Sequence, residues 1–308
     1  CHTVGFHRNS SLKKVIRSMR ALQEADSSAR IRSCPQQSSL KEPVFYMNNA
    51  EIKRTLLEAI AKAGKTVRAA FGKEQRITKK GEFNLVTEID KAAERTALAV
   101  IRKKFPKHSI LAEESPEVKG SDGCWIIDPI DGTTNFAHGF PIVSVSIAFE
   151  SEGRLKMGAV FDPTRDELFF AERGKGAFLN GKCVRVSRTK KLVDSLVVTG
   201  FPYDRKKNPD AYLAMLRAFL TRVQCIRRTG SAAIDLCYVA MGRFDGYYEM
   251  KLNPWDKAAG MLMVEEAGGR LTDFKGQLLG LSSVQNLATN GLIHREMLSA
   301  LRPFKGLK

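Results

Sequence analysis

WIIDPIDGTTNFAHGFP, running from Trp125 to Pro141, packs a strand, a break and a helix start into seventeen residues. The apolar run Cys124-Trp125-Ile126-Ile127 reads as a buried strand. It ends in Asp128-Pro129-Ile130-Asp131-Gly132-Thr133-Thr134, where two carboxylates stand three residues apart across a proline-fixed turn. Gly132 and two hydroxyl residues then open a short helix. Backbone N–H groups at a helix start favour an anion, and clustered carboxylates favour a hard cation. The stretch therefore describes a site for a metal-bound phosphate.

Three other acidic segments fit the same site: GEFNLVTEID (Gly81 to Asp90), ILAEES (Ile110 to Ser115) and LNPWDKAAGMLMVEEAGG (Leu252 to Gly269). Around them the pattern is regular from Met47 onward. Residues 48–71 have helical period, with Ile52, Leu56, Ile60, Ala63 and Val67 on one face. A second helix is expected from Thr87 to Lys104, and strands at 109–112, 124–127, 143–150 and 155–161. Asn180-Gly181 signals a hairpin joining Gly176–Leu179 to Lys182–Val186. Beyond Arg188 to Lys191, strand and helix alternate: strands at 195–199, 224–227, 245–250, 270–273 and 287–289, helices at 209–222, 231–241, 254–267 and from Gly291. Hairpins first and βα alternation later predict a mixed-sheet half, 47–190, joined to an α/β half, 191–308, that completes the site.

Residues 1–46 differ. They carry eight Lys/Arg against three Asp/Glu and many Ser, Arg and Gln residues, and are expected to be a poorly ordered basic extension. Two origins stay open for them, an organelle transit peptide or an upstream extension foreign to the fold.

The 308 residues are 43% hydrophobic and 27% charged, a composition that suits a globular chain with a large core. No uncharged apolar run approaches the roughly 18 residues of a membrane span, so no membrane partner is expected. Six scattered cysteines without a CxxC pair argue against structural zinc or a disulfide framework, and for a reducing cytoplasm. The five histidines lack metal-ligand spacing, so a metal here is expected on oxygen ligands, which points to Mg²⁺ or Mn²⁺. The net charge of +17 suits phosphorylated substrates and permits contact with RNA.

A phosphate monoester repels nucleophiles with its own negative oxygens. A pair of cations roughly 3.5–4 Å apart neutralises them, lowers the pKa of a bound water and stabilises the leaving oxygen. Holding such a pair requires several carboxylates in one small volume. Without cations they repel by about 4 kcal/mol per pair at 4 Å and an intermediate dielectric. Glu113, Asp128, Asp131 and Asp256, gathered at strand ends and turns, are thus better explained with cations than without.

These segments resemble the signature of the inositol monophosphatase family, in the lithium-sensitive, magnesium-dependent sugar phosphatase superfamily. WIIDPIDGTTNF is similar to its first motif and NPWDKAAGMLMVEEAGG to its second. FDPTRDELFFAERGKGAFLNG and RRTGSAAIDLCYVAMGRFDGYYE resemble its bacterial SuhB branch. For the fold, the resemblance implies a layered αβαβα sandwich of the sugar phosphatase type, between the α+β and α/β classes.

It also implies roles. Glu113, Asp128 and the carbonyl of Ile130 would bind a first Mg²⁺, with Glu113 and Thr133 orienting the attacking water. Asp128, Asp131 and Asp256 would hold a second Mg²⁺, and Asp90 a weaker third through water. Phosphate would rest on the N–H groups of Gly132 and Thr133, near Lys79 of a mobile loop. Glu249, with Ala232 and Asp131, would contact the sugar hydroxyls. The implied reaction is hydrolysis of a small phosphorylated polyol, such as myo-inositol 1-phosphate, by a homodimer. Related sugar or nucleotide phosphatases and an RNA polymerase antitermination accessory protein are the alternatives. Arg227-Arg228 reads as subunit or structural contact, and Trp125 and Trp255 as packing residues.

Overall fold

Five layers alternate between helix and sheet in the computed structural model, which describes residues 49–74, 77–79 and 85–307. Residues 1–46, Lys80 and the side chain of Lys79 lie outside the described residues. The outer layer is α1 (Asn49–Ala70) and α2 (Glu88–Lys104), with the small antiparallel pair β1 (Ile77–Lys79) and β2 (Leu85–Thr87) at their connection. Both helices bury one face, including all five residues of the α1 stripe. Thr87 caps α2 in a reciprocal box with Asp90.

The next layer is a seven-stranded sheet in sequence order: β3 (Ser109–Ala112), β4 (Cys124–Asp131), β5 (Ser144–Ser151), β6 (Arg154–Asp162), β7 (Glu167–Glu172), β8 (Gly176–Leu179) and β9 (Lys182–Val184). Only β3 and β4 run parallel. A short helix, α3 (Thr133–Ala137), follows β4. The Asn180-Gly181 hairpin forms as expected, both residues having positive φ.

A second, five-stranded sheet has the order β11-β10-β12-β14-β13. It contains β10 (Leu196–Thr199), β11 (Cys225–Arg227), β12 (Gly246–Met250), β13 (Arg270–Thr272) and β14 (Gln285–Thr289). Parallel pairing joins β10 to β11 and β12, and antiparallel pairing joins β12 to β14 and β14 to β13. On its outer face lie α4 (Pro209–Leu220) and α7 (His294–Leu301). Between the sheets lie α5 (Ala232–Ala240) and α6 (Pro254–Glu266).

Strand alternation builds this stack. Trp125 and Ile127 face α1 and α2, while Ile126 faces the central helices. Likewise Tyr247 and Ala288 point to the central layer, and Tyr248 and Leu287 to the outer one. The central helices touch a sheet on both sides, so their sequences are apolar all round: every residue of α5 is buried. The layered αβαβα architecture is the one expected. Among the described residues, no helix is long and apolar enough to cross a membrane.

Two differences from the sequence reading have physical reasons. Strand β7 runs from Glu167 to Glu172, and the charges at its two ends hide the strand period, yet its Phe169-Phe170-Ala171 core is buried. The break after Ile127 is not a turn. Strand β4 continues to Asp131, with Asp128 opposite Ser146 and Asp131 opposite Ser144, so three steps on β4 match two on β5. This β-bulge re-aims the strand end, and Pro129 fits it because it demands no ladder N–H.

Candidate active site

The bulge delivers Asp128 and Asp131 to a cleft between the two sheets. Ala112 pairs with Ile127, so Glu113 and Asp128 leave the parallel pair β3–β4 side by side. The bulge is held from within, since Ile130 N–H donates to Asp128 Oδ1 at 3.0 Å. Asp131 reaches across to the other half of the chain. Its Oδ2 accepts from Ser231 Oγ at 2.6 Å and from Ala233 N–H at 2.7 Å, at the start of α5. Asp256 stands in the first turn of α6 and accepts from Asn253 N–H at 2.7 Å, with Pro254 at the first helical position.

Gly132 links bulge to helix with φ +95, and a Cβ there would stand 2.9 Å from the Ile142 carbonyl. Only glycine meets both demands. Thr133 Oγ1 lies 3.0 Å from both Asp90 Oδ1 and the Ile130 carbonyl, and one hydroxyl proton can serve only one of them. Asp90 is fully buried; its Oδ2 accepts from Thr87 N–H at 2.8 Å and from the Thr87 hydroxyl. Asp90 thus stands behind Thr133 and does not line the cleft.

The cleft has two chambers with a shared wall of Asp131, Gly132, Thr133, Tyr203, Asn253 and Asp256. The first, of about 180 Å³, adds Glu113, Asp128, Ile130 and Trp255. No Lys or Arg is among the described residues that line it. Burial, then Glu113, Asp131, Asp256 and Asp90, push the Asp128 carboxyl well above the usual range. Burial and then Asp131 do the same to Asp256. Burial takes Asp131 up to about 6, against the lowering pull of Ser231, two backbone N–H groups and Arg228. Among the described residues, no three His, Cys, Asp or Glu side chains are already closed into one ligand cluster. The hydrogen bonds at Asp128, Asp131 and Asp256 hold these acids to separate backbone segments around the chamber.

The second chamber, of about 160 Å³, adds Gly200, Arg205, Arg228, Ser231, Ala232, Asp235, Glu249 and Lys251 to the shared wall. Glu249 accepts from the Tyr247 hydroxyl at 2.7 Å. Burial raises its carboxyl to about 7, opposed by Tyr247 and Arg228. A Cβ at Gly200 would stand 2.1 Å from Glu249 Oε2, so the end of β10 leaves room for that carboxyl. Asp235 is fully buried, raised by burial, and accepts from Thr229 Oγ1 at 2.5 Å.

The structure therefore brings Glu113, Asp128, Ile130, Asp131, Gly132, Thr133, Ala232, Glu249 and Asp256 to one cleft. Lys79 is placed only as the last residue of β1. Arg228, read from sequence as a structural or subunit contact, lines the second chamber, and Trp255, read as packing, lines the first. Gly200, Tyr203, Arg205, Ser231 and Asp235 were not singled out. Two of them left a trace in the sequence: Gly200-Phe201-Pro202 is a turn directly after a strand, and Asp235 is an acid inside an otherwise apolar helix.

An all-oxygen donor set, buried or half-buried, anionic and with no Lys or Arg among the described residues that line it, fits a hard cation and no soft one. A layered α/β chain with such a chamber beside a charged, glycine-hinged pocket has the construction of a metal-dependent phosphatase. The chain belongs to the inositol monophosphatase family, whose model matches residues 48–304. An inositol-1-monophosphatase of Synechocystis sp. is 44% identical over 268 residues, covering 86% of this chain and 93% of that protein. The Nus factor SuhB of Haemophilus influenzae is also 44% identical, over 81% of this chain and 95% of its own. Among solved structures, the suhB extragenic suppressor protein of Bartonella henselae superposes with a TM-score of 0.79 at 41% identity, covering 83% of this chain and all of that one. The inositol monophosphatase of Anabaena (Nostoc) sp. gives 0.76 at 40%, covering 83% of this chain and 97% of that one.

Proposed function

We propose that the protein hydrolyses phosphate monoesters of small polyols with Mg²⁺, myo-inositol 1-phosphate first among them, as a homodimer in a reducing cytoplasm. The observation that carries this is the paired chamber: an acid chamber with no Lys or Arg among its described lining residues, sharing Asp131, Gly132 and Thr133 with a pocket that ends in Glu249. Glu113, Asp128, the Ile130 carbonyl, Asp131 and Asp256 would hold two ions, with Asp90 near a weaker third. Bound there, Mg²⁺ supplies charge neutralisation and activation of water.

The chain's own residues do the rest. The N–H groups of Gly132 and Thr133 receive the phosphate oxygens, near Lys79. Thr133, backed by Asp90, and Glu113 orient the attacking water and hold its proton. Asp131 and Glu249 accept hydroxyl hydrogen bonds from the polyol beside Ala232, which fixes the ester bond against the acid chamber. The Synechocystis relative's name, inositol-1-monophosphatase, supports this substrate. The four described cysteines are all free, which suits a reducing compartment.

The test is phosphate release from a panel of polyol, sugar and nucleotide phosphates, with and without Mg²⁺, Li⁺ and chelator. Release that needs Mg²⁺ and is inhibited by Li⁺ supports the reading; full activity in excess chelator overturns it. Light scattering reports the dimer.

A second reading is a transcription accessory role, compatible with the first. It rests on relatives named Nus factor SuhB and on the +17 net charge. Retention of RNA that fades with salt would support it, and absence of retention at low salt would remove it.

A further inference from the structure

Tyr203 lines both chambers, the only aromatic residue to do so among the described residues: Trp255 lines the first alone and Phe201 the second alone. It is 55% exposed, a large exposure for an aromatic side chain at the lip of a buried acidic cleft. Its backbone, by contrast, is fixed. Pro202 is buried, and Phe201 packs on the core beneath the five-stranded sheet. Arg205 N–H closes a turn onto the Pro202 carbonyl at 3.2 Å, and Lys207 N–H another onto Asp204 at 2.8 Å. Asp204 accepts from Lys251 Nζ at 2.5 Å and from the Tyr212 hydroxyl at 2.8 Å, which ties this turn to the end of β12 and to α4. Exposed ring and anchored backbone describe a side chain held out over the cleft.

We propose that Tyr203 is a specificity-determining residue that selects ring-shaped polyol phosphates by offering its aromatic face to the C–H face of the substrate ring. This rests on the phosphatase reading and adds the class of substrate preferred. The charged residues of the second chamber read hydroxyl groups and do not distinguish a ring from an open chain; of its apolar residues, Phe201 is packed on the core, and Tyr203 is the aromatic one that also reaches the acid chamber where the ester would sit. A six-membered polyol with mostly equatorial hydroxyls presents its axial C–H groups as an apolar face. Contact with Tyr203 removes that face from water, and an open-chain polyol has no comparable flat surface to offer.

The experiment measures kcat/KM for myo-inositol 1-phosphate and glycerol 2-phosphate in the wild type, Tyr203→Ala and Tyr203→Phe. The ratio of the two specificities should fall about tenfold in Tyr203→Ala, the scale of one lost apolar contact, mainly through KM. Tyr203→Phe should keep the ratio within about twofold, because the ring remains. Calorimetric titration of the same two phosphates with Ca²⁺ replacing Mg²⁺ reads the same preference as an affinity ratio, without turnover. An unchanged ratio in Tyr203→Ala overturns the proposal, as does an equal loss in Tyr203→Phe. If the wild type hydrolyses neither ester, the phosphatase reading fails, and the calorimetric ratio still decides for or against Tyr203.

Discussion

The two chambers of the cleft share Asp131 and Asp256 yet balance their charge in opposite ways. In the second, Arg228 stands among Asp131, Asp235 and Glu249 and lowers the pKa of all three. Burial still raises these carboxyls, but the chain itself offsets part of that cost, and the wall can read neutral hydroxyl groups without an ion. In the first, the charges nearest Asp128 are four more acids, and every one of them raises it. With no Lys or Arg among the described residues that line it, that chamber suits a cation from outside. One fold thus places a site suited to ions beside a site that partly offsets its own charge, and chemistry at their boundary takes its charge from one and its substrate preference from the other.

The largest expected effect comes from breaking the uncompensated chamber. Asp128→Asn or Asp256→Asn should each lower kcat by about 10²–10³-fold, the scale of removing one preorganised electrostatic partner of a transition state. In chelator, the same substitutions should leave the thermal midpoint equal to the wild type or higher, because each removes a buried like charge. A midpoint that drops sharply would show these acids to be structural, and the contrast between the chambers would be lost. Phosphate release and thermal melts measure the two halves of this prediction.

The compensated chamber should respond differently. Glu249→Gln keeps the shape of the side chain but removes a charged acceptor for substrate hydroxyls. kcat/KM should fall about 10–100-fold for a polyol phosphate, the worth of one hydrogen bond to a charged group, and much less for an aryl phosphate without hydroxyls. The Mg²⁺ concentration for half-maximal rate should stay within about twofold. Equal losses on both substrates would place Glu249 in the service of the metals or the fold.

How far each chamber was legible in sequence follows from how it is built. Asp128, Asp131, Gly132 and Thr133 are consecutive or nearly so, and Asp256 sits in its own capping sequence after Asn253-Pro254, so local chemistry announced them. The layers were legible for the same reason, since α1 and α2 show a clean apolar stripe. The second chamber is assembled from the ends of β10 and β12 and the start of α5, which meet only through the parallel pairing of β10 with β12. Arg228 and Asp235 reveal their use only when their neighbours are known. The bulge escaped notice because Asp-Pro reads as a turn, and its register is set by the partner strand β5.

Mg²⁺ and pH sharpen the contrast thermodynamically. Asp128, Asp131 and Asp256 have folded-state pKa values above the unfolded value of 3.8. The folded, metal-free protein therefore holds protons that the unfolded chain has released. Their contribution is greatest at low pH and is lost as pH rises from about 4 through about 6, the folded value for Asp131. On the proposed reading Mg²⁺ binds the deprotonated acids, so the midpoint gain from saturating Mg²⁺ should be larger at pH about 7.5 than at pH about 5. At a hundredfold excess over Kd, that gain corresponds to about 2.7 kcal/mol. A gain equal at both pH values would mean that the ion binds elsewhere.

The smallest effect should come from a buried group outside both chambers, His294 at the start of α7. Its ring is buried between two threonines, with Nε2 3.0 Å from Thr272 Oγ1 and Nδ1 2.9 Å from Thr289 Oγ1. Thr272 donates its hydroxyl proton to the Asp273 carbonyl, so Nε2 must carry the proton that meets it. With the neutral ring's proton on Nε2, Nδ1 accepts from Thr289 Oγ1, which itself accepts from Gly291 N–H. Burial, and then nearby Arg270, lowers the ring's pKa from 6.5 to about 4. The sign is opposite to that of the carboxyls: stability from His294 is full above about 6.5 and is lost as pH falls toward about 4. His294→Gln should remove that slope, on the order of 2 kcal/mol across the window, in melts of the metal-free protein. Mg²⁺ dependence and polyol preference should be unchanged, because His294 lines neither chamber. A shifted Mg²⁺ requirement would show that the five-stranded sheet transmits changes to the acid chamber, and the two chambers could then no longer be treated as locally determined.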